Sequence, residues 1–151
     1  MPAPYAGGCQ CGAIRYELRT ESLTLYICHC TECQKQSSSA FGMSMTVTRA
    51  DVDITQGQPR VFERPARNDN HVVCTYCPDC GSRLFHARSQ RPDVMNIKPG
   101  SLDDTSWLRP VAHIWTRSAQ PWVTIPADIL VFPEQPPSHE PLVAAYQAAT
   151  S

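Results

Sequence analysis

The sequence predicts a mainly β fold closed by a short C-terminal helix. Three observations point there. Apolar and polar residues alternate in several short runs, the mark of half-buried strands. The chain carries 14 prolines and only 18% charged residues in 151, a profile of turn-rich β structure rather than a helical bundle. Helix-period spacing of apolar residues over more than one turn is confined to the extreme C-terminus.

The elements follow in order. In residues 13–20, Ile14, Tyr16 and Leu18 alternate with Arg15, Glu17 and Arg19, predicting a strand. Residues 23–27 form a short apolar run, a second strand that delivers Cys28. Thr31 with Gln34 three residues on is a capping-box pattern, so a helical turn brings Cys30 and Cys33 to one side. Phe41, Met43, Met45 and Val47 alternate with small polar residues, another strand, with both methionines in the core. Residues 51–70 carry turn residues and charges around a short strand at 60–63. Residues 71–76 and 83–87 read as strands entering and leaving a turn at Cys77-Pro78-Asp79-Cys80-Gly81. Further strands are expected at 93–98, 111–116 and 122–125, with a turn at 99–104. Prolines between 133 and 137 break regular structure. Pro141 then suits a first helical turn, and Leu142, Ala145, Tyr146 and Ala149 recur at helix spacing. The organisation expected is one domain over residues 1–135 and a helical tail over 136–151.

Composition sets bounds on function. The formal net charge is −1 and no Lys/Arg run stands out, so nucleic acid finds no electrostatic footprint. The first eight residues have neither a basic nor an apolar signal region. No apolar stretch approaches the ~18 residues a membrane span needs. The expected compartment is the cytoplasm, where thiols stay reduced and metal ligation is favoured over disulfides.

Against that background the eight cysteines are the chemistry-bearing feature. They fall in clusters: Cys9-Gln10-Cys11; Cys28-His29-Cys30-Thr31-Glu32-Cys33; and Cys74 followed by Cys77 and Cys80. Zinc takes four ligands with Zn–S bonds of about 2.3 Å, so its sulfurs must converge from short turns. Eight sulfurs can close two sites as four plus four. They can also make one closed site and one three-sulfur site, with one cysteine spare. Cys77-x-x-Cys80-Gly is half of many zinc ribbons, and Cys9-x-Cys11 lies between glycines that let the backbone curl. Pairing these halves gives a closed four-cysteine pin and leaves Cys28, Cys30 and Cys33 alone. Three thiolates leave zinc a poor Lewis acid toward water. The site suits capture of an incoming thiol, held deprotonated as a nucleophile toward an electrophile such as an aldehyde.

These motifs resemble the glutathione-dependent formaldehyde-activating enzyme family, which also includes centromere protein V. The match is carried by Gly8-Cys9-Gln10-Cys11-Gly12, by Cys28-His29-Cys30-Thr31-Glu32-Cys33 and by Cys77-Pro78-Asp79-Cys80-Gly81-Ser82. Gly100-Ser101-Leu102-Asp103-Asp104, residues 110–115 and Trp122 add to it, so it spans about residues 7–132. The resemblance implies coiled β-sheets pinned by zinc, of the β-tent type. It implies a structural zinc at Cys9, Cys11, Cys77 and Cys80 and a second, catalytic zinc at Cys28, Cys30 and Cys33. It also implies carbon–sulfur lyase chemistry in which glutathione and formaldehyde give S-hydroxymethylglutathione.

Cys74 departs from the family pattern. It is either a buried cysteine packed as a small hydrophobe or a fourth ligand that closes the middle site. In the second case the protein is a non-catalytic binding module with two closed four-cysteine sites. His29 is expected to point away from the metal in a supporting role, and His86 and His113 to lie in strands. Trp107, Trp115 and Trp122 are expected in the core or a pocket wall. Gly7-Gly8 is expected to serve the turn around Cys9. Glu32 reads as a solvated first-turn carboxylate. Lys35, Arg60, Arg64 and Lys98 are candidates, by residue type, for the carboxylates of glutathione.

Overall fold

The computed structural model describes residues 2–66 and 69–151. Met1, Arg67 and Asn68 lie outside the described residues, the last two within the turn-rich stretch read from the sequence. The fold is mainly β with a C-terminal helix, as expected. The chain divides into two compact units, Met1–Ser22 with Thr46–Trp107, and Leu23–Met45 with Leu108–Ser151.

In the first unit, β1 (Tyr5–Gly8) pairs antiparallel with β2 (Arg15–Leu18). β1 has no strand signal of its own, because two of its four residues are glycine, a poor strand former. The glycines serve close packing there. A Cβ on Gly7 would stand 2.5 Å from the Tyr16 ring and 2.7 Å from the Ser101 carbonyl. On β2, Tyr16 and Leu18 are buried while Arg15 and Glu17 are only half-covered, the alternation the sequence displays. The Tyr16 hydroxyl lies 2.7 Å from that of Ser101, and its ring meets Phe85 edge-on at 5.0 Å.

The second unit begins with β3 (Thr24–Cys28), every residue of which is buried. Helix α1 (Thr31–Ser37) follows. Then comes β4 (Gly42–Thr48), whose residues divide between the two units. Met45 and Val47 are fully buried, and Ser44 and Thr46 nearly so, so β4 is covered on both faces although its sequence alternates.

Back in the first unit, β5 (Val52–Gln56) joins β2 to complete a sheet of order β1-β2-β5. The sequence reading missed β5, an edge strand with four exposed residues and therefore no burial pattern. The remaining strands of this unit are β6 (Arg60–Pro65), β7 (His71–Tyr76), β8 (Arg83–Arg88) and β9 (Val94–Ile97), antiparallel in the order β9-β8-β7-β6. Val72, Leu84, Phe85 and Ile97 are their buried apolar residues.

In the second unit β10 (Ala112–Ile114) lies parallel to β3 on one side and to β11 (Leu130–Phe132) on the other. Helix α2 (Glu140–Thr150) inserts Leu142 and Tyr146 into the core, with Ala149 exposed. The Leu142 carbonyl accepts a hydrogen bond of 2.9 Å from the buried hydroxyl of Thr24 on β3. One apolar cluster, with Tyr26, Cys28, Cys33, Ala112, Ile114, Trp115 and Leu142, underlies this unit. The strand expected at 122–125 is absent. That run sits between Pro121 and Pro126, a turn bond joins Val123 N–H to the Gln120 carbonyl, and the strand falls later, at β11.

Candidate metal centre

Two groups of cysteine sulfurs converge, each inside one unit. In the first unit Cys9, Cys11, Cys77 and Cys80 bring their sulfurs within 4.8 Å of one another. Each half is a tight turn. After β1 the chain reverses through Gly12 at φ +81°, with Gly12 N–H bonded to the Cys9 carbonyl at 3.1 Å. The Cys9 sulfur accepts the Ile14 N–H at 3.2 Å. The second half is the hairpin between β7 and β8. Gly81 at φ +78° turns the chain, Gly81 N–H donates to the Cys77 carbonyl, and Cys77 N–H donates to that of Ser82, both at 2.9 Å. Ser82 ties the halves together. Its hydroxyl accepts the Gln10 N–H at 3.0 Å and lies 3.2 Å from the Cys80 sulfur.

The donor set fits zinc. Four sulfurs about 2.3 Å from one ion form a tetrahedron with edges of about 3.8 Å. Cys9 and Cys11 stand 3.6 Å apart, and Cys11 and Cys77 3.7 Å apart. All eight cysteines are described, and none is in a disulfide. Proton sharing is uneven among these sulfurs. The Ser82 hydroxyl, then backbone N–H groups, lowers the Cys80 pKa to about 5, whereas Cys11 is pushed up to about 12. For Cys11 a bond from the Ala13 backbone works the other way, but the Cys9 sulfur and the other thiols outweigh it.

In the second unit Cys28, Cys30 and Cys33 form a three-sulfur group, again within 4.8 Å. Cys28 ends β3. Cys30 is the N-cap of α1, with its sulfur accepting the Cys33 N–H at 3.3 Å. The capping residue is thus Cys30 and not Thr31, because a thiolate accepts a helix N–H as a hydroxyl does. Hydrogen bonds from Cys28, then Cys33, stabilise Cys30 as the thiolate and hold Cys28 as the thiol. Cys33 packs closely on Gly42, where an added Cβ would lie 3.3 Å from its own.

The loop between Cys28 and Cys33 is fastened from behind. The buried His29 ring turns into the protein, its Nε2 2.8 Å from Nδ1 of His113 on β10, and the His29 backbone N–H donates to the Ile114 carbonyl at 3.0 Å. Burial holds both imidazoles below the usual histidine range. Gln34, which the sequence reading singled out only as a capping partner, makes the larger contribution. Its side-chain amide donates to the carbonyls of His29 and Ser118, each at 2.9 Å, and its Oε1 accepts from Gln120 at 3.2 Å. Gln120 in turn accepts the Trp122 indole N–H at 2.7 Å. The Ser118 carbonyl is presented by a turn that starts at Trp115, a buried tryptophan in the left-handed region at φ +58°. Trp122 itself is 71% exposed, so it is not a core residue.

The remaining sequence candidates fall as follows. Cys74 is 1% exposed on β7 and belongs to neither sulfur group, in keeping with a buried small hydrophobe. Glu32 and Lys35 are exposed on α1. Trp107 stacks on Tyr5 at 4.7 Å. Arg60 and Arg64 lie on β6, and Lys98 follows β9. Among the described residues no helix is long and apolar enough to cross a membrane.

A mainly β frame carries two convergent thiol groups that could each hold a metal ion. The chain belongs to the glutathione-dependent formaldehyde-activating enzyme family, whose model matches residues 4–118. A Rhodobacter sphaeroides protein of known crystal structure is similar in fold, with a TM-score of 0.55 and 20% identity over 68% of this chain and 91% of that one.

Proposed function

We propose that this protein is a zinc-dependent carbon–sulfur lyase of the S-(hydroxymethyl)glutathione synthase type, acting in the cytoplasm on a thiol such as glutathione and a small aldehyde such as formaldehyde. The observation that carries the proposal is the inequality of the two sulfur groups. One offers four ligands, and the other offers three, with no fourth His, Cys or carboxylate in the group among the described residues. Family membership supports the substrate pair.

In this reading Cys9, Cys11, Cys77 and Cys80 hold a structural zinc, and Cys28, Cys30 and Cys33 hold a catalytic one. Zinc on three thiolates supplies one open position at which a substrate thiol is held as the thiolate. The protein's own residues set the geometry around it. Cys30 and Cys33 are fixed by the cap of α1, and Cys28 by β3. Gln34 and His29 prevent the loop from opening. The reaction is an addition and needs no redox partner. The sulfur lone pair forms the C–S bond, the carbonyl π pair moves to oxygen, and the proton lost by the thiol is regained at that oxygen.

The test uses cobalt-substituted protein titrated with glutathione and followed in the visible spectrum. A saturable band shift that disappears in Cys30→Ser supports the reading. An unchanged spectrum, or full activity in Cys30→Ser, defeats it. Zinc analysis of Cys74→Ser separates the alternative: retention of two zinc ions leaves Cys74 without a ligand role.

A further inference from the structure

One face of strands β6–β9 carries charge of a single sign. The register places Arg64, Val72 and Arg88 in one cross-strand row and Phe62, Cys74, His86 and Asn96 in the next. Arg60, Tyr76 and Arg83 make a third row. Residues paired across antiparallel strands share a face. Glu63, the one carboxylate in these four strands, alternates to the other face. The Arg83 guanidinium lies 4.7 Å over the Phe62 ring, and Phe62 meets Tyr76 edge-on at 5.9 Å. Among the described residues, Arg60, Arg64 and Arg88 take part in no ion pair.

At the centre of this face His86 has a defined tautomer. The Thr46 hydroxyl donates to Asn96 Oδ1 at 2.7 Å, which turns the Asn96 amide nitrogen to His86 Nε2 at 3.1 Å. Nε2 therefore accepts, and the ring proton sits on Nδ1. That atom is closed to solvent and has no hydrogen-bond partner. Burial, then the charges of Lys98, Arg88, Arg64 and Arg83, holds His86 well below the usual histidine range, so the ring is neutral. A buried donor without an acceptor is unfavourable, and so are the like charges of Arg64 and Arg88, which take part in no ion pair among the described residues. One oxyanion relieves both.

We infer that the β6–β9 face binds the oxyanion group, phosphate or carboxylate, of a small molecule, with Arg64 and Arg88 gripping it, His86 Nδ1–H donating to it, and Phe62 and Tyr76 meeting its organic part. Arg88 is exposed and Arg64 half-buried, so both guanidinium groups can reorient on flexible stems. The site lies wholly in the first unit.

The test is a titration of the full-length zinc protein, 15N-labelled, followed through its histidine side-chain nitrogens near neutral pH and at constant ionic strength. The probes are inorganic phosphate, glutarate and S-methylglutathione, the last keeping the carboxylates of glutathione without a free thiol. The expected result is a saturable shift at His86 Nδ1 with at least one probe, its Kd raised at least about tenfold in Arg64→Gln and in Arg88→Gln. Response to phosphate alone assigns a phosphate-bearing ligand; response to glutarate or S-methylglutathione assigns a carboxylate. No saturable shift with any probe up to tens of millimolar overturns the proposal. So does an affinity that the two arginine substitutions leave unchanged.

Discussion

The two sulfur groups differ in how far apart in the chain their ligands lie. Cys9 and Cys11 meet Cys77 and Cys80 from a distant hairpin, so a metal there closes a long loop and fastens the first unit to itself. Cys28, Cys30 and Cys33 come from one short loop that β3, α1 and β10 already hold. Metal in the first group, as proposed, would therefore be part of folding, whereas metal in the second would be added to a loop that the protein has already shaped.

Breaking the first group should have the largest effect. Cys77→Ser removes a fully buried ligand, and a structural zinc site contributes on the order of 10 kcal/mol, comparable with the whole stability of a domain. Circular dichroism should show loss of the β signal, and a strong chelator should reproduce it. Cys30→Ser should instead lower zinc content from two to one and activity by more than about a hundredfold, through loss of a ligand at the proposed chemical centre. Its melting temperature should stay within about 5 °C of the parent. Equal melting losses in the two variants would erase the distinction between the groups.

Gln34→Ala sharpens the comparison. It deletes two hydrogen bonds to backbone carbonyls at a cost of about 1–3 kcal/mol and loosens the Cys28–Cys33 loop. Zinc affinity at the second group should fall about tenfold or more in competition with a chelator, with the first group unaffected.

The smallest effect belongs to Arg15 and Asp103, an exposed two-bond ion pair beside the first group. The Arg15 hydrogen bond holds the Asp103 carboxyl below the usual range. The sign follows: the pair stabilises above the unfolded aspartate pKa and loses that contribution as pH falls through the depressed folded value. Exposure limits it to less than about 1 kcal/mol. Denaturation of Asp103→Asn should show that deficit at neutral pH and none in strong acid.

Much of this was legible in the sequence, for reasons that can be traced to particular residues. Ile14-Tyr16-Leu18 declared β2 because one face is core and the other is not. Cys77-x-x-Cys80-Gly81 declared a hairpin because its glycine takes a left-handed angle. The four cysteines proposed for one zinc do meet, since metal spacing is a local code with few solutions. What escaped had no local code. β1 is half glycine, β5 is an exposed edge, and β11 has two exposed residues of three. Gln34 looked like a capping partner, yet its side chain serves two carbonyls that only the fold brings near. Arg60, Arg64 and Lys98 were named by charge alone. Strand register, a long-range property, is what sets the two arginines on one face with Arg83 and Arg88.

The span of the first sulfur group also bears on events during synthesis. The ribosome releases Cys9, Cys11, Cys28, Cys30 and Cys33 before Cys77 and Cys80 exist. If the first group holds zinc as proposed, an ion captured early would find only Cys28, Cys30 and Cys33 beside Cys9 and Cys11, and the quartet could form only after the β7–β8 hairpin emerges. On that reading, the order in which metal reaches the nascent chain would bear on yield, a consequence that the finished fold conceals.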